Sequence, residues 1–263
     1  MAHRSTLDRE LKSLRGLIVD MAGRVDEQFA DAMNALLQGD LDLADQVVAR
    51  DDAVDHLEMQ IDQQCERILA LHAPVAADLR TLITAVKINT DFERIGDHCR
   101  NLSHNAEILV DAQDLIAETN IPKMSDMSRC MLREVETAFL ERDRLKARKV
   151  IARDLQINRL HADTFDWLID RSRSTPERSE AIAYLLATSK SLERISDHTK
   201  NIAQSIVFMI EGTDIRHRGL QEAPRHPTDR GDDESDTASR PTSGNASRNA
   251  SGNASETGTE SST

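Results

Sequence analysis

An all-α fold of two tandem three-helix bundles, followed by a disordered C-terminal tail, is predicted by three features of this 263-residue chain. The first is an internal repeat. Glu93-Arg94-Ile95-Gly96-Asp97-His98-Cys99-Arg100-Asn101 recurs as Glu193-Arg194-Ile195-Ser196-Asp197-His198-Thr199-Lys200-Asn201, with six of nine positions identical. Upstream, Asp40, Ala44, Val47, Arg50 and Asp51 align with Asp143, Ala147, Val150, Arg153 and Asp154 at a spacing of 103 residues, against 100 for the later motif. A duplicated unit of about 100 residues explains both matches. The second feature is proline placement: before residue 222 only Pro74, Pro122 and Pro176 occur, each between long stretches rich in Ala, Leu, Arg, Glu and Asp. The third is the core composition. One Trp, one Tyr and five Phe leave Leu, Ile, Val, Ala and Met to fill the interior, which suits helix packing.

Turn signals then divide the chain into six helices, three per repeat. The first is expected from about Thr6 to Leu37, stopping at Gly39, with Asp40 able to cap the second, which runs to about Leu71 before Ala73-Pro74. The third runs from Val75 to about Glu118. After Asn120-Ile121-Pro122 the order repeats: Met124 to Leu140, Asp143 to Arg173, and Pro176 to Glu211 with Gly212 as its stop. Apolar residues recur at helical spacing at Phe92, Ile95, Cys99, Leu102 and Leu109, and again at Leu192, Ile195, Ile202, Ile206 and Met209. The repeats are accordingly bounded at 1–119 and 120–221.

From Glu222 to Thr263 there is no Val, Ile, Leu, Met, Phe, Trp, Tyr or Cys. Such an acidic, Ser/Thr/Asn/Gly-rich segment cannot bury enough apolar surface to offset its ordering entropy, so it is expected to be disordered. Its three Asn-Ala-Ser triplets, at Asn245, Asn249 and Asn253, read as low-complexity repetition, since no export signal is apparent.

A net charge of −13, from 46 acids against 33 bases, argues against nucleic acid as a direct partner, because phosphate contacts need a basic face. Asp and Arg are strongly favoured over Glu and Lys, a balance that fits a salt-adapted cytoplasm. Cys65, Cys99 and Cys130 are odd in number and lack C-x-x-C spacing, which excludes a disulfide framework or a zinc ribbon and leaves three buried thiols as the expectation. No stretch approaches the ~18 apolar residues of a membrane span. A cytoplasmic protein that meets membranes only through partners is expected.

The acids carry the chemistry. Residues four apart on a helix share a face, so Glu93 with Asp97 and Glu193 with Asp197 each present two carboxylates at the edge of the apolar stripe. The preceding helices carry Asp51 with Asp55, and Asp154 with Asn158. If these helices pack side by side, two acid pairs converge in each repeat, and a bound cation would relieve their repulsion. Many such pairs in a chain this acidic are solvated faces, here with Arg94 and Arg194 as ion-pair partners, but their coincidence with both repeats favours ligation. Oxygen-rich sets without Cys suit Mg²⁺, Mn²⁺, Ca²⁺ or iron. Asn158 removes one anionic ligand from the second set. His98 and His198 point about 100° away from the acids beside them, which favours hydrogen bonding or packing.

Catalysis has weaker support. No histidine has Glu three residues before it, and no G-x-S-x-G, Walker A, H-E-x-x-H or Gly-rich phosphate cradle occurs. No nucleophile or base is identifiable beside the acids.

The doubled E-R-I-[GS]-D-H motif, the preceding D-x-x-[IV]-[DN]-x-L helices, and Ala73-Pro74-Val75-Ala76-Ala77-Asp78-Leu79-Arg80 together resemble the PhoU family over residues 6 to 212. The resemblance implies paired three-helix bundles, often dimeric, that bind multinuclear metal clusters of iron, manganese, magnesium or zinc. Asp51, Asp55, Glu93 and Asp97 would hold the first cluster, and Asp154, Glu193 and Asp197 the second. It also implies negative regulation of the phosphate-specific ABC transporter through its ATPase subunit, and in many bacteria through a membrane histidine kinase. Asn158 and Ser196 depart from the pattern, and the second repeat has no counterpart of Asp78-Leu79-Arg80. Two alternatives stay open at this point, an adaptor for another transporter such as one for potassium, and a metal-dependent hydrolase.

Overall fold

In a computed structural model the chain is described over residues 2–216, so the expected tail from Glu222 lies outside the described residues. Every regular element among the described residues is helical: α1 (Ala2–Gln38), α2 (Leu41–Arg50), α3 (Asp52–His72), α4 (Ala76–Leu109), α5 (Gln113–Glu118), α6 (Ile121–Glu141), α7 (Arg144–Ser174) and α8 (Ser179–Glu211). Short 3₁₀ turns, Val110–Ala112 and Pro176–Arg178, precede α5 and α8.

The caps follow the residues that suit them. Gly39 takes a positive φ of 68° after α1, and Asp40 then accepts a 3.0 Å bond from the Leu43 amide as N-cap of α2. The second repeat reuses this corner: Arg142 takes a φ of 53° after α6, and Asp143 accepts from the Leu145 and Lys146 amides. Ala73 and Gly212 close α3 and α8 in the left-handed conformation.

Two of the expected helices are divided. The second breaks at Asp51 into α2 and α3, whereas its counterpart α7 runs unbroken through Asp154. The third stops at Leu109, where the chain tightens into a 3₁₀ turn before α5. The expected boundary at 119/120 falls in the turn before α6.

α1, α2–α3 and α4 correspond to α6, α7 and α8. The most extensive packing joins α4 to α8 across the repeats, so within the described residues both repeats belong to one compact unit. The pair is antiparallel: Thr84 bonds the Ser205 carbonyl near one end and Asn105 bonds Thr188 near the other, with the His98 and His198 rings 5.9 Å apart at mid-length. Repeat-related side chains are buried in both helices: Ile95 and Ile195, Leu102 and Ile202, and Leu109 and Met209.

Cys65 and Cys99 are buried as expected, but Cys130 is exposed. It sits one residue before buried Met131, about 100° off the core stripe of α6, with Arg153 Nη1 at 3.2 Å from its sulfur. One apolar stripe faces outward. Val75, Leu79, Ile83 and Val86, at 73%, 36%, 38% and 42% exposure, follow helical spacing up the start of α4. Ser179 and Ala183 hold the positions of Leu79 and Ile83 in the second repeat.

Candidate metal centre

The first acidic set forms where α3 lies along α4. Asp51, Asp55, Glu58 and Asp62 are spaced 4, 3 and 4 residues apart, which puts them on one helical face. Opposite them α4 presents Asn89, Glu93, Asp97 and Arg100. Asn89 Nδ2 bonds Asp62 Oδ1 at 2.9 Å and the Glu58 carbonyl at 3.0 Å, which fixes the register of the two helices. At the other end Arg100 bridges Asp51 and Asp97, the latter at 2.7 Å. Asp51 is almost fully buried and also accepts a 2.8 Å bond from Gln28 on α1. Gly96 leaves room for that contact, since a Cβ there would stand 3.3 Å from Gln28 Oε1.

Between these fixed ends the carboxylates crowd one another. Burial, then the charge of Asp97, pushes Glu93 up to about 7, although Arg94 opposes the shift. Asp55 is raised by burial and by Asp51 and Asp97, and Glu58 by burial and by Asp62 and Asp55. Six carboxylates thus face two guanidiniums, those of Arg94 and Arg100. No three His, Cys, Asp or Glu side chains among the described residues are already drawn into a coordination shell. The donor chemistry nonetheless fits a hard cation, because burial and neighbouring carboxylates raise the proton affinity of Asp55, Glu58 and Glu93, and these three with Asp97 offer only oxygen.

The second set is different in charge. Lys200 Nζ sits 2.8 Å from Asp154 Oδ2 and 2.5 Å from Asp197 Oδ1. Ser196 Oγ donates to Asp154 Oδ1 at 2.9 Å, and Asn158 donates to its other oxygen at 3.3 Å. Glu193 is paired with Lys190 at 2.6 Å and lies 3.8 Å from Arg194. Burial works against the Lys200 charge, but its bonds to Asp154 and Asp197 outweigh this and the net shift is upward. Three acids here meet three bases, so this set does not fit a further cation.

All seven residues singled out from the sequence therefore lie on the facing helices, grouped by repeat. Glu58, Asp62, Asn89, Gln28, Arg100 and Lys200 complete the two sets and were not singled out. The same-face spacing after Asp55 signals Glu58 and Asp62, whereas the reach of Arg100 and Lys200 to the neighbouring helix is a tertiary property. His198 bonds Asp91 at 2.9 Å across the α4–α8 contact, and the half-buried His98 packs its ring 5.9 Å from that of His198, so one histidine bonds and the other packs.

Fold and site together define a tandem helical-bundle protein with one acid-rich and one self-neutralised motif. Residues 18–106 and 121–206 each match the family model described as "PhoU domain". The chain belongs to the PhoU family. It is 32% identical to the phosphate-specific transport system accessory protein PhoU homolog of Pseudomonas putida, covering 81% of this chain and 83% of the relative. The Caulobacter vibrioides NA1000 protein of the same name is 34% identical over 78% of this chain and 90% of its own length. The crystal structure of PhoU from Pseudomonas aeruginosa is similar at a TM-score of 0.74 and 31% identity, covering 78% of this chain and 99% of that one. The phosphate transport system regulatory protein PhoU from Streptococcus pneumoniae follows at a TM-score of 0.73 and 25% identity, covering 80% and 99%.

Proposed function

We propose that this protein is a cytoplasmic, non-catalytic regulator of phosphate uptake that restrains the phosphate-specific ABC transporter through contact with its ATPase subunit. The observation that carries the reading is the doubled family match, together with relatives named as accessory proteins of that transport system along four-fifths of the chain. No helix among the described residues is long and apolar enough to cross a membrane, in keeping with action through partners.

Metal ions belong to the first acidic set in this reading, held by Asp55, Glu93 and Asp97 with Glu58, while Asp51 anchors Arg100 beside them. A bound divalent ion would supply positive charge that neutralises these carboxylates and ties α3 to α4. Contact with the ATPase subunit is assigned to the exposed stripe of Val75, Leu79, Ile83 and Val86, since an apolar row of this kind is typical of an interaction surface and the second repeat lacks it. A homodimer and a membrane histidine kinase are further partners consistent with the family.

The test is co-purification of the transporter ATPase subunit with the full chain. Wild type should retain it and Leu79→Asp/Ile83→Asp should lose it while keeping its helical circular dichroism. Equal retention by both would remove the stripe from the account, and retention by neither would remove the ATPase contact.

A further inference from the structure

The two copies of the motif can be compared rung by rung. In the first, Asp62 meets Asn89, Glu58 faces Glu93, Asp55 faces Asp97, and Asp51 meets Arg100. At the corresponding places of the second stand Phe165, His161, Asn158 and Asp154 on α7, and Ser189, Glu193, Asp197 and Lys200 on α8. Three of four carboxylates on the outer helix have become neutral. His161 is taken up by a 2.8 Å bond to Ser189. The remaining outer-helix acid, Asp154, is 2% exposed and receives bonds from Ser196, Asn158 and Lys200, which meet its need for donors.

We infer that the second copy takes no metal ion and is closed as an ionic lock: Lys200 bridges Asp154 and Asp197 as Arg100 bridges Asp51 and Asp97 in the first copy, and Phe165, His161 and Asn158 stand where the first copy has its further carboxylates. The chain then loads metal at one motif copy only, and α7 is tied to α8 without metal. The charge balance supports this: in the second copy Asp154, Glu193 and Asp197 meet Lys200, Lys190 and Arg194, whereas in the first copy six carboxylates share Arg94 and Arg100 and are left with charge for a cation to neutralise. The one-site part of this inference rests on the metal reading of the first copy, whereas the lock itself does not.

The experiment uses the full chain, stripped with chelator and reloaded with Mn²⁺, with bound metal per chain measured by elemental analysis. Glu93→Gln/Asp97→Asn should abolish loading, and Glu193→Gln/Asp197→Asn should leave it unchanged. A loss of metal from the second variant would overturn the inference and make His161, Glu193 and Asp197 ligands. In chelator, Lys200→Met should lower the melting temperature by roughly 5–10 °C, with Lys200→Arg close to wild type. An unchanged melting temperature for Lys200→Met would equally overturn the lock. If wild type holds no Mn²⁺, the metal reading of the first copy fails by itself, and the lock is decided by the Lys200→Met melt.

Discussion

Ser196 donates a 2.9 Å hydrogen bond to buried Asp154, and in doing so replaces a contact that the first repeat makes from a different helix. There Gln28 on α1 donates to Asp51 at 2.8 Å over the bare backbone of Gly96. At the position of Gln28 the second repeat has Met131, whose sulfur lies 3.7 Å from the Ser196 hydroxyl. The donor has moved from one helix to the other while the buried acceptor stayed. Gln28→Met should therefore cost about 1–3 kcal/mol by removing a donor from Asp51. Adding Gly96→Ser should recover most of that loss, and urea unfolding of the two single variants and the double measures the coupling. Additive losses would contradict the exchange.

Arg142 holds a φ of 53° at the corner where the first repeat has Gly39. A side chain in this conformation is strained, and glycine is the usual residue after a helix that ends this way. Arg142→Gly should raise stability by about 0.5–1 kcal/mol. A lower denaturation midpoint would mean that the Arg142 side chain holds a contact worth more than the strain.

The helices and their repetition were legible because apolar periodicity, Pro74, Pro122, Pro176 and the Gly39 and Gly212 stops are local signals. The acidic pairs were legible for the same reason, and one more turn of the same spacing reaches Glu58 and Asp62. The break at Asp51 was not, since Asp51 itself keeps helical dihedrals of φ −58° and ψ −40° and its counterpart Asp154 lies in an unbroken helix, so no local signal marks it. Nor was the exposure of Cys130, which turns on a single 100° step around α6. Least visible was the sharing of one core by both repeats, because an amphipathic stripe does not name the helix it meets.

That shared core has a cooperative consequence. Ile95 is fully buried beside the α4–α8 contact, and Ile95→Ala should destabilise by about 2–5 kcal/mol. Thermal unfolding should stay a single transition, moved to lower temperature, because neither repeat keeps its core without the other. Two separated transitions would show that the repeats unfold independently.

Glu93 supplies a pH dependence. Its carboxyl is raised by burial and by Asp97 to about 7 from an ordinary value of 4.5. Between those values the folded chain holds a proton that the unfolded chain has released, so stability falls as pH rises through this window and the penalty is complete above it. In chelator, wild type should lose more stability than Glu93→Gln between about pH 5 and about pH 8. Equal slopes for the two proteins would remove the assigned burden from Glu93. Asp55 and Glu58, raised for similar reasons, add to the same trend.

Uptake of labelled phosphate by phosphate-replete cells, with and without this gene, bears most directly on the regulatory role. Restraint of the transporter predicts uptake that stays high in the deletion, with excess intracellular phosphate, and returns to the low level when the wild-type chain is restored. Uptake unchanged by the deletion would contradict the account, and potassium flux would then be the next quantity to follow.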